Sequence, residues 1–198
     1  MLEAGEDLDK TDARILDTAV TVMAEYGFRR ASMDDVARKA GVSRVTVYRR
    51  FSDKDTLVQA VVLRECRRSL QAILRDIAEL PAEEERFVQG FVSTVTLARS
   101  HPLFRRMLDD GEQEMVLPRY VAISASQAMD VARQYMGQLI GGLQPFGHFP
   151  NQKPEETAEL LIRLWHSIVL TPSSALCAEN EAQLTRFVRG FLYPLLSR

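Results

Sequence analysis

Apolar residues recur at intervals of three and four along nearly the whole of this chain. That spacing puts them on one face of an α-helix, which repeats every ~3.6 residues. No segment combines a two-residue alternation with the β-branched enrichment that is typical of strands. The sequence therefore predicts an all-α fold of about nine helices.

Helix ends are predicted from capping and breaking residues. Gly27 suits a left-handed cap at the end of the first helix, and Pro81 follows the end of the fourth. The Gly- and Pro-rich residues 141–154 predict an irregular loop, with His148 in water. The expected helices span about 10–26, 33–39, 43–50, 53–80, 82–99, 102–114, 118–140, 154–170 and 179–196.

Composition limits the class of protein. The 198 residues, 46% of them hydrophobic, are enough to bury a core without metals or disulfides. Cys66 and Cys177 lie far apart and form no CxxC pair, so two reduced thiols are expected. The chain shows neither a leader pattern nor a run of about 18 apolar residues, which predicts a cytoplasmic protein without a membrane span.

Enzyme and metal chemistry are not expected. The chain has no Gly-rich phosphate loop, GxSxG or HExxH motif, so we predict no catalytic residues and no cofactor. The carboxylates of Asp109, Asp110, Glu112 and Glu114 follow His101, and a hard cation would need such oxygens to converge. A solvated acidic face is the interpretation that we prefer, with no metal site.

The net charge of −2 is unevenly distributed. Residues 10–68 contain 13 Lys and Arg against 8 Asp and Glu, a net charge of +5, whereas residues 69–198 carry −3. A local basic excess is typical of a surface that meets nucleic acid.

Residues 32–51 read SMDDVARKAGVSRVTVYRRF, which predicts two short helices joined by a tight turn. Ser32 and Ser43 are expected to cap the two helices, and Gly41 to take a positive φ in the turn. Val47 and Phe51, four residues apart, share the buried face of the second helix. The rest of that helix either meets DNA or is the solvated basic face of a structural hairpin.

The N-terminal end of a recognition helix enters the major groove. Arg44 is the expected base reader, because an Arg can bind guanine O6 and N7 together, and Val45 or Thr46 could touch a thymine methyl group. The other candidates would contact phosphates, Lys54 with help from the helix N-terminus around it. The predicted DNA-binding residues are Ser32, Ser43, Arg44, Val45, Thr46, Tyr48, Arg49, Arg50 and Lys54.

The pattern GVSxxTxYxxF, followed by a Lys and a Leu, resembles the TetR family. The matching positions are Gly41, Val42, Ser43, Thr46, Tyr48, Phe51, Lys54 and Leu57. The family often has an aromatic residue and a His where this chain has Arg49 and Arg50. The resemblance implies a DNA-binding domain at residues 8–69 and an effector-binding and dimerisation domain at residues 70–198. It also implies a homodimeric repressor, released by a small-molecule effector from an operator that is an inverted repeat.

Outside residues 8–69 no motif specifies a ligand, and an activator or architectural DNA-binding protein without an effector remains the alternative. Effector pockets are mainly apolar with a few polar groups. Candidates for lining one, any of which could instead be plain core, are Phe87, Phe91, His101, Phe104, Met107, Met129, Tyr135, Met136, Trp165 and His166. The helix at about 154–170 is apolar on two sides, which predicts either a helix buried centrally in a monomer or a contact with a second copy. The residues expected at a dimer interface are Leu160, Leu164, Leu184, Phe187, Val188 and Phe191.

Overall fold

The computed structural model describes residues 9–114, 119–150, 153–171 and 180–197, and for residues 110–125 it describes no side chains. Every regular element in these ranges is a helix, which confirms the predicted all-α fold. The α-helices are α1 (Lys10–Arg30), α2 (Met33–Ala40), α3 (Arg44–Arg50), α4 (Lys54–Ala78), α5 (Glu83–Ser100), α6 (Pro102–Glu114), α7 (Arg119–Leu143), α8 (Pro154–Leu170), α9 (Glu181–Phe187) and α10 (Tyr193–Leu196). None of the helices within the described part of the chain is both long and apolar enough to cross a membrane.

Two hydrophobic clusters divide the molecule. The first, which we call the head, is built from α1, α2, α3 and the beginning of α4, as far as Val62. The second, the body, begins at Cys66 of α4 and includes the helices that follow. The change of core therefore falls inside a continuous helix, close to the predicted boundary at residue 69. Leu103 of α6 is fully buried in the head cluster, so α6 joins the two.

Gly27 interrupts α1. Its φ of 79° and ψ of 160° are not helical, and the positive φ is one that glycine adopts readily. The regular helix that begins at Lys10 therefore ends at about Tyr26, as predicted. One further helical turn follows to Arg30, where the Ala31 N–H donates to the Gly27 carbonyl. The guanidinium of Arg106 in α6 packs where a Gly27 side chain would lie.

The segment after α7 is more ordered than predicted. Buried Ile140 and Leu143 keep α7 helical to Leu143, and a 3₁₀ turn, Gln144–Phe146, follows. His148 is half-buried and hydrogen-bonded to the Tyr193 hydroxyl, so its predicted exposure to water is wrong. The aromatic rings around it include Phe149, which is fully buried.

A five-residue π-helix, Val188–Leu192, joins α9 to α10. Pro194 follows it and has no N–H to donate to the carbonyl four residues earlier, a common cause of such distortions. Four buried residues of this last helical segment lie four apart, Leu184, Val188, Leu192 and Leu196, and Tyr193 is buried beside them.

Candidate DNA-binding face and effector cavity

The two short helices are capped as the sequence predicts. The Ser32 hydroxyl accepts from the Asp35 N–H (3.1 Å), and the Ser43 hydroxyl accepts from the Thr46 N–H (3.0 Å). Gly41 has a φ of 64°, and its N–H closes the end of α2. The Ser32 hydroxyl also donates to the Asp35 carboxylate, which lowers the pKa of Asp35. These bonds define where α2 begins and ends and where α3 begins.

The exposed side of α3 is what DNA could meet. Val47 is fully buried and Phe51 nearly so, as predicted. Arg44, Val45, Tyr48 and Arg49 are exposed, and we call these four the recognition face. Val45 is 75% exposed, a high value for an apolar side chain.

Arg44 is held from two sides. Its Nε lies 2.6 Å from the Asp34 carboxylate of α2, and its guanidinium carbon is 5.9 Å from the centre of the Tyr48 ring. The pairing with Asp34 engages one edge of the guanidinium. The other edge of the Arg44 guanidinium, formed by Nη1 and Nη2, can donate hydrogen bonds to a base.

Arg50 and Lys54 are engaged within the head. Arg50 pairs with Asp12 (Nη1 to Oδ1, 2.6 Å) and with Asp9, so it ties α3 to the start of α1. The Lys54 Nζ donates to the Arg29 carbonyl at 2.8 Å, and burial lowers the pKa of Lys54. A phosphate contact by Arg50, as predicted, would require these ion pairs to open.

The body contains an apolar cavity of about 540 Å³ between α4, α5, α6, α7 and α8. Seven of the ten predicted pocket residues are in its wall: Phe104, Met107, Met129, Tyr135, Met136, Trp165 and His166. Phe87 and Phe91 are not among them and pack elsewhere in the body core. His101 also lies outside the wall, beside the Phe104 ring at 4.6 Å.

The sequence missed the contribution of α4 and α5 to this wall. Val62, Cys66 and Leu70 follow one another at four-residue spacing on α4, and Thr94 and Leu97 come from α5. The spacing on α4 was visible as one apolar face. Periodicity alone does not distinguish a face that lines a cavity from one that packs on a neighbour.

The cavity wall and the head core share residues. Val62 is buried in the head, and Phe104 and Met107 pack against the head cluster while also lining the cavity. A molecule in the cavity would therefore touch side chains on which the position of the head depends.

A polar chain runs beside this junction. The Arg64 Nη2 contacts Asp17 of α1 at 2.7 Å and the adjacent, buried Glu65 at 2.9 Å. The other Glu65 oxygen lies 3.7 Å from the His101 Nε2. The contact with His101 and the charge of Arg64 lower the pKa of Glu65 below its ordinary value. These contacts connect α1, α4 and the start of α6.

The predicted dimer residues separate into two groups. Leu184 and Val188 are buried in the core of their own subunit, so they offer no surface to a partner. Leu160 and Phe191 are 54% and 60% exposed, and Phe187 stacks on Phe191 at a ring separation of 5.5 Å. Leu164 and Phe187 are half-buried. Leu195, at 58% exposure, adds to the apolar surface.

Cys66 is a free, buried thiol whose pKa is raised by burial to about 12. Cys177 lies outside the described residues. So do the side chains of Asp110, Glu112 and Glu114; among the described side chains no cluster is suited to a metal ion.

Comparison with known proteins gives a consistent set of likenesses. The family model for bacterial regulatory proteins, tetR family, matches residues 15–61. The HTH-type transcriptional regulator UidR of Escherichia coli K12 is 26% identical over 184 residues, which is 91% of this chain and 88% of UidR. The HTH-type regulator Mb2274c of Mycobacterium bovis is 30% identical over 108 residues. That match spans 54% of this chain and little more than half, 55%, of Mb2274c.

Solved structures share the fold over almost the full chain. The fatty acid degradation regulator FadR of Bacillus halodurans has a TM-score of 0.69 at 19% identity, covering 95% of this chain and 97% of FadR. FadR of Bacillus subtilis, in complex with stearoyl-CoA, has a TM-score of 0.62 at 16% identity, covering 93% and 97%. AibR, in complex with isovaleryl coenzyme A and operator DNA, has a TM-score of 0.55 at 16% identity, covering 94% and 99%.

Proposed function

Because residues 15–61 match the family model for bacterial regulatory proteins, tetR family, we propose that this chain binds an operator as a homodimer and releases it when a small molecule fills the cavity. The likenesses are to regulatory proteins, and UidR is an HTH-type transcriptional regulator.

The recognition face supports base reading by Arg44. Its guanidinium is exposed and oriented by Asp34, and Val45 presents a methyl surface suited to thymine. Arg49 and Tyr48 are exposed beside them and suited to phosphates, which position a protein without reading sequence. Lys54, anchored at the end of α1, would bring the head to the backbone.

Effector control is supported mainly by the side chains that the cavity and the head share. Val62, Phe104 and Met107 belong to the cavity wall and also contact the head core. A ligand that favours one arrangement of these side chains must also favour one position of the head. Glu65 and His101 would transmit the same change to α1. Two proteins of this fold have been solved with a CoA ester, which supports a ligand-binding body. The open cavity weighs against an architectural protein without an effector.

A homodimer is supported by exposed apolar residues on α8 and on the last helical segment, chiefly Leu160 and Phe191. Most soluble oligomers use one patch twice around a twofold axis. Two heads related by this axis would enter major grooves on one side of the duplex about 34 Å apart, or a multiple of it, which requires an inverted repeat.

The test is selection of bound sequences from a random duplex library, with the full-length protein and with Arg44→Ala. We expect an inverted repeat for the natural chain, and lost preference at particular bases for the variant, at a cost of about 1–3 kcal/mol per base pair. Lys54→Ala is the control for a phosphate contact and should weaken all sequences alike, with a shallower salt dependence. Recovery of no enriched sequence, or of a site without twofold symmetry, would contradict the proposal.

A further inference from the structure

The apolar cavity contains a hydrogen-bond donor that has no acceptor. Trp165 of α8 is part of the cavity wall, and its indole Nε1–H is shielded from water and makes no hydrogen bond within the protein. A buried donor of this kind is unfavourable unless something accepts from it. The indole is part of the cavity wall, so a rotation of its ring would bring the N–H to an acceptor on a molecule bound there.

The other buried donors of the described wall already have acceptors. The Thr94 hydroxyl donates to the Phe91 carbonyl (2.7 Å), and the Tyr135 hydroxyl to the Gly90 carbonyl (3.5 Å). The Cys66 thiol donates to the Ala128 carbonyl (Sγ to O, 3.7 Å). Of the buried donors in the described wall, the Trp165 N–H is therefore the one that lacks an acceptor. The remaining polar side chain of the described wall, His166, is exposed to solvent.

The wall also lacks fixed charge. Among its described residues there is no Lys, Arg, Asp or Glu, and burial keeps the Cys66 thiol in its neutral form. A charged group entering this space would lose its hydration without finding a counter-ion, which is strongly unfavourable. Apolar surface, by contrast, would be stabilised by burial there.

We propose that the cavity takes an uncharged, largely apolar molecule with one strong hydrogen-bond acceptor, such as the carbonyl of a ketone, ester or thioester, and that Trp165 donates to that acceptor. The inference rests on the proposed function, because it treats the cavity as the effector site. It adds the chemical class of the effector and the residue that selects for it.

The test compares three probes on one carbon skeleton. Valerophenone has a carbonyl, pentylbenzene has a methylene in the same place, and 5-phenylpentanoate has a charged carboxylate. Binding to the full-length protein is measured by calorimetry. In the natural chain it is also followed by the fluorescence of Trp165, its single tryptophan. The variants are Trp165→Phe, which removes the N–H, and Met129→Leu, a control that reshapes the wall without touching a donor.

We expect Trp165→Phe to weaken valerophenone binding about two- to tenfold, the contribution of one neutral hydrogen bond, and to leave pentylbenzene nearly unchanged. Met129→Leu should change the binding of both probes by a similar factor. The carboxylate should bind at least about tenfold more weakly than the ketone, since it loses hydration without a counter-charge.

Equal losses for ketone and hydrocarbon in Trp165→Phe would overturn the role of Trp165. A carboxylate that binds as tightly as the ketone would overturn the uncharged class. Failure of all three probes to bind a protein that still binds its operator would overturn the inference as a whole. A ketone that binds through Trp165 without changing operator affinity would support the inference and contradict effector release.

Discussion

Replacing Asp34 by Asn tests how the base-reading Arg is positioned. The carboxylate of Asp34 lies 2.6 Å from the Arg44 Nε, and the amide keeps its size while losing its charge. The two side chains are 65% and 49% exposed, so the pair should stabilise the fold by no more than about 1 kcal/mol. The variant should therefore fold, and its effect should appear in DNA recognition.

The expected magnitude follows from the mobility that Arg44 regains. Immobilising a long side chain at an interface costs about 0.5–1.5 kcal/mol. Because Asp34 already holds Arg44 in the free protein, DNA binding does not have to include this cost. Without the Asp34 carboxylate, discrimination at the guanine read by Arg44 should fall about two- to tenfold. Loss of one negative charge should at the same time raise the affinity for every sequence, since a phosphate would meet less repulsion.

The assay is competition between the operator and operators in which one guanine at a time is replaced by 7-deazaguanine, which lacks the N7 acceptor. The base pair where Arg44→Ala abolishes the penalty identifies the guanine that Arg44 reads. Asp34→Asn should reduce the penalty at that base pair alone. Asp55→Asn is the matched control, because Asp55 is also an exposed carboxylate of the head, at the start of α4, and is not the carboxylate that pairs with Arg44.

Two results would refute the reasoning. A penalty that is the same in the natural chain and in Asp34→Asn, while Arg44→Ala removes it, would show that Arg44 needs no orientation by Asp34. An equal reduction by Asp34→Asn and Asp55→Asn would show that charge alone, and not the contact, matters.

Three other predictions concern stability and assembly. Glu65→Gln should destabilise the protein by about 1–3 kcal/mol at pH 7 in urea unfolding. The pKa of Glu65 in the folded protein is lower than its ordinary value of 4.5, so the loss of stability in the variant should become smaller as the pH falls below 4.5. A loss of stability that is the same at low pH would contradict this explanation. Gly27→Ala, at a φ and ψ that only glycine adopts readily, should cost about 2–3 kcal/mol in the same assay. Gly41→Ala, in the milder left-handed region with open space around it, should cost about 1 kcal/mol, and the reverse order would be inconsistent with this explanation. Phe191→Glu should lower the mass seen by sedimentation from dimer to monomer without unfolding, whereas Phe146→Glu, at the same 60% exposure, should not; equal effects would argue against the proposed interface.

The helix-turn-helix could be predicted from sequence because its determinants are local. Caps at Ser32 and Ser43, the turn at Gly41 and the buried Val47 depend on residues at most four positions apart. The partners of Arg50 could not be predicted in the same way, because Asp12 is 38 residues away and only the packing of α1 on α3 brings them together. Whether an exposed Arg is available to DNA is therefore a tertiary property.

In the body, the spacing of apolar residues does not predict which side chains line the cavity. Phe87 and Phe91 have the size and spacing of pocket residues, yet they pack in the core, while the smaller Thr94 and Leu97 line the cavity. An apolar pattern gives the inward face of a helix but not whether that face meets a neighbour or a void. The domain boundary and the dimer surface stay predictions.

In the last helical segment the sequence predicts one apolar face of an α-helix, which runs from Leu184 to Leu195. The structure divides it into buried residues and a second line, Phe187, Phe191 and Leu195, of which the last two are exposed. The difference arises from the π-helix, whose signal in the sequence was Pro194.

That π-helix sets the geometry of the surface that a partner would meet. In an unbroken α-helix, positions four apart rotate by about 40° at each step, so a ridge built on them winds around the axis. The π-helix at Val188–Leu192 has one residue more in its turn than an α-helix, which cancels much of this rotation. The side chains of Phe187, Phe191 and Leu195 therefore form a straighter ridge. The direction of the ridge thus depends on the number of residues in the segment more than on their identity. Loss of a single residue there would turn its far end by about 100° while leaving the composition of the surface almost untouched.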